Sequence, residues 1–121
     1  MLTIAIALAA GVGAVARYVT DQVVQRRTAG EFPHGTLLVN LTGSLLLGLL
    51  VGFSLHHGLG QRPLLVIGTG FAGGYTTLST WAWESLALAE SGELQEAAMN
   101  VIGSFGLGLL AAAAGLGLAL L

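Results

Sequence analysis

Apolar residues come along this chain in long, nearly unbroken runs, with short polar clusters between them. Four runs stand out, at residues 2–20, 36–55, 63–88 and 97–121. Each approaches the roughly 20 residues that a helix needs to cross the hydrocarbon core of a bilayer. The separating stretches, residues 25–31, 58–62 and 90–96, hold most of the charges. His56-His57-Gly58 closes the second run, and Pro63 opens the third, where proline suits a first helical turn. The pattern predicts an all-α membrane protein of four transmembrane helices, one domain over residues 1–121, with both termini on the same side. A cleaved signal peptide over residues 1–16 is disfavoured, because no basic stretch precedes the apolar run.

The third run contains the least lipid-like stretch of the chain, Gly68-Thr69-Gly70-Phe71-Ala72-Gly73-Gly74-Tyr75-Thr76-Thr77-Leu78-Ser79-Thr80. An unpaired backbone group in hydrocarbon costs several kcal/mol, so irregular backbone survives there only under cover of protein or water. Gly73-Gly74 can adopt backbone angles closed to other residues. The third helix is therefore predicted to break at these glycines, near the midplane, and to restart from Thr76. The restarted half would aim free N–H groups into the bilayer centre. Carbonyls released by the break suit a small cation such as Na⁺. Thr76, Ser79 and Thr80 fall on one face of that half, and Leu78 and Trp81 lie one turn apart.

Composition supports the membrane reading. Of 121 residues, 55% are hydrophobic and only 8% charged, with a mean hydropathy of +0.85. A soluble domain carries about 25% charged residues. A net charge of −2 gives no reason to expect a nucleic-acid partner, and without cysteine there is no disulfide framework. Arg17, Arg26 and Arg27 fall on one side and Arg62 with the N-terminal amino group on the other, a difference so small that charge supports one orientation as well as insertion both ways round. Gly48 and Gly52 on the second helix, and Gly103, Gly106, Gly108, Gly115 and Gly117 on the fourth, favour close helix packing. Four thin helices enclose little volume, so a pathway is expected between subunits of an oligomer.

The remaining polar residues within the spans are few. Arg17, beside Tyr18, reads equally as an arginine snorkelling to the interface and as a cation in a vestibule. Thr36, Asn40, Gly43 and Ser44 share one face of the second helix, a stripe suited to a path or an interface. Asn100 and Ser104 share a face of the fourth. Glu84, one turn past Thr80, is expected near the interface and solvated. His34, His56 and His57 flank the spans without any spacing that suggests a metal site.

Three motifs in order carry a resemblance: Gly13-Ala14-Val15-Ala16-Arg17-Tyr18, Gly35-Thr36-Leu37-Leu38-Val39-Asn40 and Gly70-Phe71-Ala72-Gly73-Gly74-Tyr75-Thr76-Thr77-Leu78-Ser79-Thr80. With the chain length and helix count, they resemble the Fluc (CrcB-type) fluoride channels. The resemblance implies an antiparallel, dual-topology homodimer with two fluoride pores and a central structural Na⁺. It implies that the backbone carbonyls of Gly73 and Thr76 from both subunits hold that Na⁺. Asn40, Ser79, Thr80 and, more weakly, Ser104 would line the fluoride pore, with Arg17 at its vestibule. The family places two phenylalanines where this chain has Leu78 and Trp81. A ring edge is electropositive, so Trp81 can still offer an edge and an N–H, whereas Leu78 cannot.

The function this implies is passive export of fluoride across a prokaryotic cytoplasmic membrane, with fluoride, the lipid bilayer and a second copy of the chain as partners. The alternative is a small four-helix, proton-coupled multidrug exporter. That chemistry uses an acid within the first helix, and residues 2–20 carry Arg17 and no acid. Nothing resembles an activated nucleophile or an acid–base pair, so an enzyme is not expected.

Overall fold

The computed structural model describes residues 1–121 and is helical throughout, without strands. Helices α1 (Leu2–Arg27), α2 (His34–His56) and α5 (Leu94–Leu118) are each long and apolar enough to cross a membrane. Between α2 and α5 the third rod is divided into α3 (residues 61–75) and α4 (Ser79–Glu90). Four rods are therefore present, as the apolar runs predict, and the third is not one continuous helix.

The ends of the rods differ from the apolar boundaries in an instructive way. Helix α1 continues past residue 20 to Arg27, which brings Asp21 into the helix and sets Arg26 and Arg27 in its last turn. Cations there complement the partial negative charge of a helix C-terminus. Hydropathy marks where lipid ends, not where the backbone stops being helical. The three turns between rods each contain a glycine at positive φ, namely Gly30 (88°), Gly58 (72°) and Gly92 (85°). Glycine reaches this left-handed region at no steric cost, which suits it to end a helix.

Backbone-to-backbone contact sets the packing. A Cβ on Gly13 would collide with the Phe71 carbonyl, and one on Gly74 with the Ala10 carbonyl, so α1 and α3 touch through their main chains. On the other side Gly48 meets the Ala112 carbonyl and Gly115 the Leu45 carbonyl, which seats α2 on α5. Lipid tails are as apolar as leucine, so such helices associate by close packing rather than by escape from water. The residual core is thin, with Val39 and Ala72 fully buried. Gly103, Gly106 and Gly117 have nothing within 4 Å of where a Cβ would stand. Among the glycines of the fourth rod, Gly115 is the one that packs tightly within the chain.

Two stretches are wound more loosely than an α-helix. Residues Leu64–Ala72 of α3 and Met99–Gly103 of α5 have π geometry, with the Gly73 N–H reaching back to the Gly68 carbonyl. A widened turn shifts every side chain after it around the axis, and such turns gather at functional sites. Both stretches lead directly to the interruption in the third rod and its neighbour, Ser104.

Candidate functional site

The interruption lies at Thr76–Leu78, and it is not made by the glycines. Gly73 is helical (φ −64°, ψ −38°), and the chain turns out of the helix at Thr76 (ψ 159°). The break expected at Gly73-Gly74 and the restart expected at Thr76 are thus both displaced towards the C-terminus. Asn40 of α2 is the cause. Its Nδ2 donates to the Thr77 carbonyl at 2.9 Å, and its Oδ1 accepts the Thr77 N–H at 2.8 Å. One carboxamide thereby grips both polar groups of Thr77. In a continuous helix that N–H would close on the Gly73 carbonyl. Gly74 serves packing against Ala10 instead, whereas Gly73 is exposed and has only the Gly68 carbonyl, 3.9 Å away, near its missing Cβ.

The carbonyls of Gly73 and Thr76 both lose their helical partners as a result. The Gly73 carbonyl loses the Thr77 N–H to Asn40. The Thr76 carbonyl loses the Thr80 N–H, which goes to Thr77 Oγ1 at 3.2 Å, and accepts Arg17 Nη1 at 3.4 Å. Thr77 Oγ1 also donates to Thr80 Oγ1 at 3.0 Å, so this hydroxyl caps the start of α4 as threonine does at helix N-termini. Thr76 Oγ1 turns back to the Ala72 carbonyl at 2.9 Å. Of the clustered hydroxyls, those of Thr76 and Thr77 are therefore spent on shaping the break.

Cavities flank the break on two sides. A groove of about 350 Å³ is lined by Asn40, Ser44, Thr77, Leu78, Trp81 and Ser104 among others. A smaller recess of about 210 Å³ is lined by Arg17, Asp21, Thr36, Thr77 and Thr80 with three neighbours. Of the residues singled out in the sequence, Asn40, Leu78, Trp81 and Ser104 come together in the groove, while Arg17 and Thr80 face the recess. Ser79 is exposed outside both. Thr77 belongs to both cavities, so the peptide gripped by Asn40 stands between them.

Several side chains are engaged in ways the sequence did not indicate. Trp81 Nε1 donates to the Asn100 main-chain carbonyl at 2.8 Å, so its N–H is not free for an anion, contrary to expectation. Asn100, whose side chain is wholly buried, donates from Nδ2 to Ser85 Oγ at 2.8 Å and accepts from Ser104 Oγ at 3.0 Å. The i, i+4 spacing of Asn100 and Ser104 was the available signal; the bond to Ser85 had none. Glu84 is half-buried rather than solvated. Its Oε1 accepts the Thr36 hydroxyl at 2.9 Å, and its Oε2 is buried without a hydrogen-bond partner. The polar stripe of α2 accordingly faces the third rod, with Thr36 on Glu84 and Asn40 on Thr77. His57 Nε2 lies 2.6 Å from the Ala119 carbonyl and pins the α2 end to that of α5.

Comparison with known proteins points the same way as the three motifs. The CrcB-like protein, Camphor Resistance (CrcB) family profile matches residues 4–116. Over 118 residues the chain is 44% identical to the fluoride-specific ion channel FluC 1 of Leifsonia xyli subsp. xyli, covering 98% of this chain and 85% of that one. It is 45% identical over 112 residues to the fluoride-specific ion channel FluC 2 of Mycobacterium tuberculosis, covering 93% and 86%. It is 47% identical over 104 residues to FluC 1 of Streptomyces avermitilis, covering 86% and 84%. With nearly all of its length matched, four helical rods and a third rod opened by the asparagine of its second motif, this chain belongs to the CrcB family of membrane proteins, which are not enzymes.

Proposed function

We propose that this chain is a passive fluoride channel of the prokaryotic cytoplasmic membrane, built as an antiparallel homodimer whose subunits insert both ways round. The observation that carries the reading is the third rod held open by Asn40, with a cavity on either side. Fluoride is small and strongly hydrated, and a path through protein must replace its water with donors at each step. Arg17 would draw the anion towards the recess. The amide of Asn40 has a second N–H to offer beyond the one on Thr77. Thr80 and the exposed Ser79 would supply hydroxyls, and Trp81 an electropositive ring edge, with Leu78 as an apolar wall. The names of the relatives, each a fluoride-specific ion channel, support the choice of anion.

A central Na⁺ belongs to the same proposal. The carbonyls of Gly73 and Thr76 are oxygen donors freed from the helix, which suits a hard cation. Gly73 is exposed and uncrowded, so a second copy could approach it. Bound there, Na⁺ would supply positive charge that ties the opened carbonyls of two subunits together. Exposed apolar side chains and the unpacked Gly103, Gly106 and Gly117 support a further helix-packing surface. The small difference in cations between the two sides, counted with the N-terminal amino group, is consistent with both orientations. The break would then lie near the bilayer midplane.

Purified protein in liposomes tests the reading. It is expected to release fluoride when a K⁺ ionophore balances charge, and to release chloride far more slowly. Fluoride that stays trapped where one of the named relatives empties the vesicles would sink it. Uptake of a fluorescent cation driven by a proton gradient would favour the exporter instead.

A further inference from the structure

The direction of every proton in the cluster around Asn100 is fixed by its partners. The Trp81 carbonyl can only accept, so Ser85, 2.7 Å away, must give it its hydroxyl proton. Ser85 Oγ is then left as an acceptor, and the group facing it at 2.8 Å must be the NH₂ of Asn100. The carboxamide oxygen therefore faces Ser104, whose hydroxyl must donate across 3.0 Å. A flipped amide would set two acceptors against the single proton of Ser85. Trp81 Nε1–H on the Asn100 main-chain carbonyl closes the circuit between α4 and α5. Asn100 is fully buried, so no water competes for these bonds.

We propose that Asn100 is a positioning residue that, through its circuit with Trp81 and Ser85, turns the hydroxyl proton of Ser104 out of the groove. Ser104 then presents lone pairs to an anion in the groove, not a donor. To donate, it must abandon Asn100 Oδ1 and leave a buried acceptor unpaired. Stranding such a group is worth about a tenfold change in an equilibrium. Trp81 is fixed by the same circuit, so the ring edge it shows to the groove is set from α5. Asn100 thus restrains anion occupancy on the Ser104 side and biases the path towards the Asn40 side. The inference rests on the proposed anion path.

Fluoride and chloride efflux from liposomes test it in five proteins: wild type, Asn100→Leu, Ser85→Ala, Ser85→Thr and Asn100→Leu with Ser104→Ala. Removing the acceptor or unlocking the amide is expected to free the Ser104 proton. Asn100→Leu and Ser85→Ala should each raise fluoride efflux about tenfold and alter the fluoride-to-chloride ratio, although Ser85 does not line the groove. Adding Ser104→Ala should cancel the gain, and Ser85→Thr, which keeps a hydroxyl, should behave as wild type. If Asn100→Leu does not fold, Ser85→Ala alone carries the test. A conducting wild type whose Ser85→Ala and Asn100→Leu forms are unchanged, or slower, overturns this inference alone. A wild type that releases no fluoride overturns the anion path and this inference with it.

Discussion

Thr77 is a peptide unit held on both sides by a single side chain, and that side chain is replaceable. Asn40→Leu deletes two hydrogen bonds of 2.8–2.9 Å and leaves the Thr77 N–H to return to Gly73. A loss of about 2 kcal/mol is expected, read as a lower thermal midpoint in detergent. Fluoride efflux should fall further than stability, because the carbonyls would be recaptured by the helix. Leu78→Phe tests the other side of the groove. Leu78 is 75% exposed within the chain, so folding should be indifferent to the change. A ring edge is electropositive, and fluoride-electrode traces should show efflux several-fold faster than wild type. Asn40 could be picked from the sequence as an asparagine amid leucines, and Leu78 through the resemblance, which places a phenylalanine there. What could not be read was how donors are spent. The N–H of Trp81 and the proton of Ser104 are committed to Asn100, and the tryptophan's acceptor lies 19 positions away on another helix.

The broken rod shows why an element can be legible while its break is misplaced. Four rods follow from run length alone, because the bilayer sets how long an apolar helix must be. Glycine, by contrast, lowers the cost of many backbone shapes without choosing one. Gly73-Gly74 was compatible with a break, and Asn40 decided that it fell at Thr76–Leu78. Gly74 serves another purpose, the passage of α1 against α3. Gly74→Val would set a Cβ against the Ala10 carbonyl and add two methyls beyond it. Overpacking of this kind costs about 1–3 kcal/mol, so the thermal midpoint should drop and the variant should yield poorly. A Gly74→Val protein as stable as wild type would mean that α1 and α3 do not touch there. The π winding of Leu64–Ala72 could not be read from run length, which fixes how far a helix extends and not how tightly it winds.

For the whole molecule, the test is whether the released carbonyls of Gly73 and Thr76 meet a cation shared between copies. Na⁺ bound only by the folded dimer would stabilise it by about 2.7 kcal/mol at a hundredfold excess over its dissociation constant. Exchanging NaCl for choline chloride should therefore lower the thermal midpoint in a saturable way. Gly73→Ala separates the possibilities. Within one chain its Cβ has room, and alanine is the better helix former by about 1 kcal/mol. If a second copy closes on Gly73, the variant should instead lose the Na⁺-dependent gain. A variant more stable than wild type, with the Na⁺ response intact, would remove Gly73 from the site. The grip of Asn40 on Thr77 also imposes an order on biogenesis. The asparagine belongs to the second rod and leaves the ribosome before the segment it must open. When residues 61–90 enter the bilayer, the side chain that receives their exposed peptide is already in place, and the third rod need never cross lipid with that peptide bare. A circular permutant that delivers the third rod first would meet the membrane without its receiver, and it should be handed to quality control rather than assembled.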